Sequence, residues 1–392
     1  MRRALFGLTG VICFFIIETG VGQAEDADLY GYVEPQISVA EVNKETKQMT
    51  SLKLRLDLEA ALSDRMTFQG NFNYITRHGD KTWHLVDFLS DDIKNSLFPG
   101  ARDLFIYSLD DECFVDNAFL KITFDRFDLT IGRQQISPGA GYAWNPTDVF
   151  NSKNLLDPTY EQRGHDALRV DIPSGLNGTV MLLYSPEDKD YTSGKFAGLK
   201  YNISHFEVML MGGERTHRWK DYSTLKDVNE TRKIIGGDIV GELLGMGVWL
   251  ELAWNDMEIS EGYFEGLFGF DYTFEGGLYL LNEFYRNERG KSDYREYTFT
   301  DWMSYFATET KSITRDQWFF YISYPATDLL TIGTSVITSL NDWSLVLVPT
   351  AEYNLLENLD VTVFGNFYFG DDGETYSPLL GQGGLVRLRY YF

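Results

Sequence analysis

The connections of this chain sort by parity. Segments in which apolar and polar residues alternate recur along its whole length, and the links after every second segment are tight. They read "SDR" at 63, "DR" at 125, "SGLNG" at 174, "SH" at 204, "LGM" at 244, "EGG" at 275, "ATD" at 326 and "LEN" at 356. The links after the other segments are often long and polar, at 79–113, 137–164, 216–231, 289–315 and 370–381. A soluble sandwich has no reason to sort loop length in this way. A barrel that crosses a membrane has one, because its short turns gather on one rim and its long loops on the other.

The alternation itself is clearest in "SLKLRLDLEAAL", residues 51–62. Leu52, Leu54, Leu56, Leu58 and Leu62 share one face, and Lys53, Arg55, Asp57 and Glu59 share the other, because successive side chains of a strand leave opposite faces of the pleat. Segments of this kind begin near positions 29, 50, 66, 115, 127, 165, 178, 194, 205, 232, 246, 261, 277, 316, 328, 343, 358 and 384. The expected fold is therefore all-β: a transmembrane antiparallel β-barrel of about 18 strands, with 16 as the alternative, short periplasmic turns and long extracellular loops.

The N-terminus agrees with export. "MRR" is followed by the apolar run "ALFGLTGVICFFII" and by "ETGVGQA", the pattern of a secretory signal peptide cleaved after Ala24. The run is shorter than the roughly 20 residues a membrane-spanning helix needs. The domains expected are a signal peptide over 1–24 and one barrel over 25–392. From 34 basic and 58 acidic side chains, losing Arg2, Arg3 and Glu18 leaves 32 and 57, a net charge of −25. That balance argues against nucleic acid as a partner. Cys113 remains as the one cysteine of the mature chain, so an internal disulfide and a cysteine-built metal site are excluded; it reads as an inert loop residue. Aromatic residues make up 15% of the chain, yet mean hydropathy is slightly negative at −0.24. A barrel reconciles the two, since only alternate residues of each strand face lipid.

A charge facing the middle of a bilayer costs roughly 2–4 kcal/mol, so parity sorts the wall. Met66, Phe68, Phe72 and Tyr74 are expected outside and Gln69, Asn71, Asn73 and Arg77 inside. Phe264, Phe268, Phe270 and Tyr272 are expected outside, as are Trp318, Phe320, Ile322 and Tyr324. The segments near 178 and 277 alternate too poorly to assign. The expected pore-lining charges are Lys53, Arg55, Lys121, Arg169, Arg387 and Arg389 on one side, with Glu207, Glu251, Glu265 and Asp271 about halfway round. Walls of opposite sign would set a transverse field across the lumen, unless these charges pair locally.

The last strand, "GLVRLRYYF", places Val386, Leu388, Tyr390 and Phe392 on one face and Arg387 and Arg389 on the other. It resembles the C-terminal signal of bacterial outer-membrane proteins, which the barrel-assembly machinery reads; Phe392 and Tyr390 are the candidate signal residues. A second segment, "IGRQQISPGAGYAWNPTDVF" followed by "EQRGHDALRV", resembles a motif of a poorly characterised group of porin-like outer-membrane barrels. Gly132, Arg133, Gln134, Asn145, Pro146, Thr147, Asp148, Gly164, Asp166, Ala167, Leu168 and Arg169 match it. Pro138 departs from it, standing where a tryptophan or similar residue often follows isoleucine-serine. The resemblance covers about 40 residues by motif and implies a porin-like barrel without assigning roles to individual residues. In porins the third long-side loop commonly folds inward, and 137–164 is the third here. Locally, Pro138, Gly139, Gly141, Pro146 and Pro158 forbid a continuous helix or strand, and Asn145–Asp148 reads as a turn. Asn145, Asp148, Asp157, Glu161 and Arg163 are the candidate constriction-loop residues.

Other chemistries have little support. The acidic clusters Asp91–Asp92, Asp110–Glu112 and Asp371–Glu374 lack the spacing of a calcium loop, and the histidines at 78, 84, 165, 205 and 217 are scattered. His165, Asp166 and nearby serines supply parts of a hydrolytic site, without a nucleophile elbow. No enzyme, cofactor or metal is expected. The reading is an outer-membrane channel of a Gram-negative bacterium for passive diffusion of small hydrophilic solutes or ions. Its partners would be outer-membrane lipid and lipopolysaccharide, the assembly machinery and the solutes, and a homotrimer is an open arrangement. The alternatives are a substrate-specific or polysaccharide-export barrel, and a surface enzyme or structural barrel with a plugged lumen.

Overall fold

A computed structural model of the chain describes residues 26–157, 160–188, 192–222 and 224–392; the expected signal peptide lies outside them. In chain order the strands are β1 (Asp26–Val42), β2 (Glu45–Ser63), β3 (Met66–Gly79), β4 (Thr82–His84), β5 (Ile106–Ser108), β6 (Glu112–Thr123), β7 (Asp128–Gln134), β8 (His165–Ser174), β9 (Gly178–Asp188) and β10 (Thr192–Ile203). They continue as β11 (Phe206–Asp221), β12 (Lys226–Leu243), β13 (Met246–Met257), β14 (Tyr263–Thr273), β15 (Tyr279–Asn287), β16 (Asp316–Pro325), β17 (Leu330–Ser339), β18 (Leu345–Leu356), β19 (Leu359–Phe369) and β20 (Gln382–Tyr391). Eighteen of these form one antiparallel sheet, and β4 and β5 form a separate small hairpin. Because β1 pairs with both β2 and β20, the sheet closes into a barrel. Closure leaves no unpaired edge, which is what allows strands to cross a bilayer.

Parity holds on the wall. Leu52, Leu58, Phe72, Tyr74, Phe268, Tyr272, Phe284 and Tyr324 are exposed on the outside, while Asn71, Asn73 and Glu265 are buried toward the interior. Tyr201, Tyr272, Tyr324, Tyr353 and Tyr390 are exposed within a few residues of the short turns, forming an aromatic girdle on that rim. The two segments whose faces could not be assigned have a common cause. On β15, Leu281, Glu283 and Tyr285 face inward and are almost fully buried, while Phe284 faces out. On β9, Leu183 is buried inward beside exposed Leu182 and Tyr184. Both faces are apolar because the inner one packs against loop residues rather than water, and alternation fades when both media are apolar.

Two expectations need correction. The link at 216–231 is not a long loop: β11 and β12 run on as a hairpin to Asp221 and from Lys226. The ladder continues through Thr216–Thr231 and Arg218–Asn229 side-chain hydrogen bonds; beyond the lipid both faces meet water, so period-two apolar alternation disappears although the pairing persists. Cys113 lies on β6, paired opposite Tyr74, rather than in a loop.

The long loops close over their rim. Residues 80–111 carry β4, β5 and helix α1 (Asp91–Ser96), and residues 288–315 carry helix α2 (Phe299–Phe306). Leu89, Tyr297, Trp302, Met303 and Ile313 are buried together, with Phe105, Tyr222 and Leu380 against them. A hydroxyl of Thr298 caps α2 by accepting from the Asp301 amide, while the Asp301 carboxylate accepts from Thr298, which fixes that loop's helix where it enters the cluster.

Candidate functional site

The segment from Gln135 to Gly164, between β7 and β8, enters the barrel and reaches both sides of it. Its first half is held by two carboxylates. Glu251 on β13 is fully buried. Its Oε2 accepts from the amides of Ala140 and Gly141 at 2.9 and 3.3 Å, and its Oε1 accepts from the amide and hydroxyl of Thr147 at 2.6 and 2.8 Å. Glu283 on β15, also fully buried, accepts from the amides of Tyr142 and Ala143 and from Trp249 Nε1. Acceptor-only carboxylates suit a turn whose amides have no ladder to bond. Gly139 has φ +100°, a left-handed conformation, and a Cβ there would press on the Glu251 carboxylate.

Packing and cations complete this half. The Trp144 ring stacks on Tyr285 at 5.0 Å between centroids, and Tyr285 donates to Glu265 at 2.8 Å. Lys311, from the 288–315 loop, donates to the carbonyls of Asn145 and Pro146 and to Glu265. Lys153 donates to the carbonyls of Gly141 and Tyr142; burial pushes its ammonium below the usual lysine range, against the pull of nearby carboxylates. Asp148 accepts from the amides of Phe150 and Asn151 and from the Asn151 side chain. Burial raises its pKa, and these hydrogen bonds oppose the shift.

The second half meets the opposite wall. Glu161 accepts from Tyr32 at 2.7 Å, Lys53 at 2.7 Å and Arg55 at 2.9 Å, and Asp157 accepts from Arg387 at 3.1 Å. Burial works against ionisation of Glu161, but the hydrogen bond and charge of Lys53, with Tyr32 and Arg55, outweigh it and hold the carboxyl at about 2. Arg163 donates to Glu112 and lies over the Phe114 ring. Of the five candidate loop residues, Asp157 and Glu161 thus meet the basic wall, while Asn145 and Asp148 are buried within the loop's own turn.

The ten charges expected along the lumen all have local partners. Lys53 and Arg55 meet Glu161, and Arg55 also meets Asp57. Lys121 meets Asp128, Arg169 meets Asp171, and Arg387 and Arg389 both meet Glu34. Glu207 meets Lys200, Glu265 meets Arg232 and Lys311, Asp271 accepts from Tyr279, and Glu251 is occupied by loop amides. Two walls of bare opposite charge are replaced by pairs at short range.

The motif residues form the loop's roots. Arg133 makes a two-pronged ion pair with Asp166 across β7 and β8, and Gly164 donates to Asp116. Gln134 is buried and donates to the Ala167 carbonyl. His165 faces inward to Asn151 and Phe150, while neighbouring Asp166 is on the other face with Arg133, so the parts weighed for hydrolysis do not meet. Among the described residues, no three histidine, cysteine or acidic side chains come together to hold a metal ion.

Sequence reasoning missed Glu283, Lys311 and Arg232. For Glu283 a signal existed: a lone carboxylate between Leu281 and Tyr285 in an inward apolar row needs a partner from elsewhere. Lys311 sits in a loop with no pattern to mark it.

No protein-family model and no curated protein matches the chain. Among solved structures it is similar to OccAB4 of Acinetobacter baumannii, with TM-score 0.57 and 9% identity over 94% of this chain and 99% of that one. OccAB2 of the same organism gives 0.55 and 8% over 94% and 98%. A triple mutant of Rh. blastica porin aligns at 0.46 and 13% over 94% and 100%. At such identities the likeness to the first two is one of fold, a closed outer-membrane-type β-barrel.

Proposed function

We propose that the chain is an outer-membrane diffusion channel for small hydrophilic solutes or ions, its bore narrowed by the 135–164 loop. The observation that supports this reading is the loop's attachment on both sides of the lumen, to Glu251 and Glu283 on one and to Lys53, Arg55 and Arg387 on the other. A segment fixed at both ends across a barrel sets the size and polarity of what passes. The motif resemblance to porin-like barrels agrees with it, as do the C-terminal strand and the N-terminal signal pattern for placement in the outer membrane of a Gram-negative bacterium. A homotrimer is compatible with this architecture.

The test is planar-bilayer recording of the purified barrel beside a variant with residues 138–160 replaced by a short glycine-serine linker. Discrete steps that grow on deletion support the reading. A second reading, a plugged barrel without conduction, is favoured by the apolar cluster over the rim and by the packing of Trp144 against Trp249, Leu267, Leu281 and Phe319 inside. Silence of the wild type with steps in the deletion variant would favour that plug.

A further inference from the structure

On the inner wall of β9, β10 and β11 the register sets three rows side by side. Leu183, Phe196 and Gly213 form the row nearest the long-loop rim, and Met181, Gly198 and Met211 form the next. Thr179, Lys200 and Met209 form the row toward the short turns. The lumen side of a water-filled barrel is ordinarily polar, yet the middle row places two thioethers around a residue with no side chain. A Cβ at Gly198 would meet the Met181 methyl at 3.3 Å, the Leu210 carbonyl at 3.6 Å and the Met211 Cβ at 3.8 Å. Gly198 thus leaves its place in the row empty, and a cavity of about 190 Å³ remains there.

The inward loop roofs this hollow. Ile136 and Phe150 line it and are buried, and Phe150 packs on Phe196 at 5.1 Å between ring centroids. Phe196 in turn is seated over Gly213, where a Cβ would collide with its ring. Arg169, Asp171 and Lys200 also line the cavity, at the end nearer the short turns. Their charges are met at close range, Arg169 by Asp171 at 2.8 Å and Lys200 by Glu207 at 2.6 Å. Water gains little in the rest of the space. A buried water needs about two to four polar partners, and apolar cavities of about 150 Å³ stay dry and take up benzene or xenon instead. The middle row offers thioethers, which are weak acceptors but favourable partners for a ring edge, and its backbone groups are committed to the ladder.

We propose that the hollow at Gly198 is a binding site for a small neutral apolar molecule with a single ring, held by Met181, Met209 and Met211 beneath Phe150. The inference goes beyond the channel reading. Its ligand is not a hydrophilic solute, and the site stands whether or not the lumen conducts. Unbranched methionines adapt their rotamers to the shape of an apolar guest, so the site selects by size and polarity rather than by outline. A carboxylate or a sugar would exchange water for thioethers there and gain no partner in return, since Arg169 and Lys200 are already paired.

Toluene is the probe, and the methionines are the reporters. The purified full-length barrel, carrying carbon-13 methyl-labelled methionine, is titrated with toluene in detergent and followed by methyl NMR, with single methionine-to-leucine exchanges assigning the signals. Met66 and Met246 share the outward parity of Phe72 and Leu250 and report on toluene dissolved in the detergent. The Met181, Met209 and Met211 signals should shift and saturate, while those of Met66 and Met246 drift linearly. Gly198→Leu, which fills the hollow, and Met209→Gln, which puts an amide into it, should each weaken toluene about tenfold or more. In the wild type itself, toluene protons should show NOEs to the Met181 and Met211 methyls at saturation, and their absence overturns the site without any variant. Linear drift alike at inward and outward methionines overturns it too, as does a saturable shift indifferent to both substitutions in barrels that keep heat-modifiable migration. None of these outcomes decides whether the barrel conducts, which the bilayer recordings test separately.

Discussion

The Glu251 latch offers a quantitative test of the loop's attachment. Glu251→Gln keeps the side chain's shape but leaves it one oxygen. In the wild type both oxygens are used, each by two donors between 2.6 and 3.3 Å. The amide nitrogen of glutamine would face two donors and accept from neither. A buried donor left unsatisfied costs about 1–3 kcal/mol, so the two together weigh about 3 kcal/mol against the latched loop once some water enters. That is a change of about a hundredfold in the ratio of latched to unlatched loop. Glu283 still holds Tyr142 and Ala143, so the single variant should flicker in bilayer recordings, and Glu251→Gln with Glu283→Gln should dwell at a higher conductance. Heat-modifiable migration checks that each variant assembles. Wild-type conductance and noise from both variants, assembled in normal amounts, would refute the latch.

The opposite attachment depends on pH. Glu161 is depressed from 4.5 to about 2, so its stabilisation is fully present above about 4.5, declines progressively below that and is gone once pH has fallen through about 2; channel noise should rise as pH falls from about 4.5 toward 2, and noise unchanged over that window would show that the tether to Lys53 does not hold the loop. An epitope tag near Asp371 should label on intact cells while one near Asn358 should not, because the first lies in a long connection and the second in a tight one; equal labelling would reverse or abolish the orientation. Phe392 exchanges two backbone hydrogen bonds of 3.0 Å with Gly31 where the barrel closes, and its ring is exposed on the outside. Phe392→Ala should therefore lower the amount of folded barrel in the outer membrane without lowering synthesis, and unchanged heat-modifiable protein would count against an assembly role.

The wall of this protein is legible in its sequence because the reason for it is local. A lipid-facing position tolerates no charge, so Leu52, Lys53, Leu54 and Arg55 declare their faces in order, and a two- or three-residue link leaves a strand no choice but to return beside its neighbour. Parity of loop length then orients the whole sheet. What fills the lumen was decided by tertiary structure alone. Glu251 and Glu283 lie more than 100 residues from the loop amides they hold, and Lys311 arrives from another loop altogether. Nothing within a strand's own sequence says whether an inward carboxylate faces water, an arginine or a turn of foreign backbone, since each satisfies the same acceptor. Of the expected acidic wall, Glu251 therefore became a loop anchor and Glu265 the partner of Lys311 and Arg232, while Glu207 and Asp271 pair with Lys200 and Tyr279 within the wall. Pairing along a sheet is set by neighbours in the chain, whereas pairing across a lumen is set by which segment arrives there.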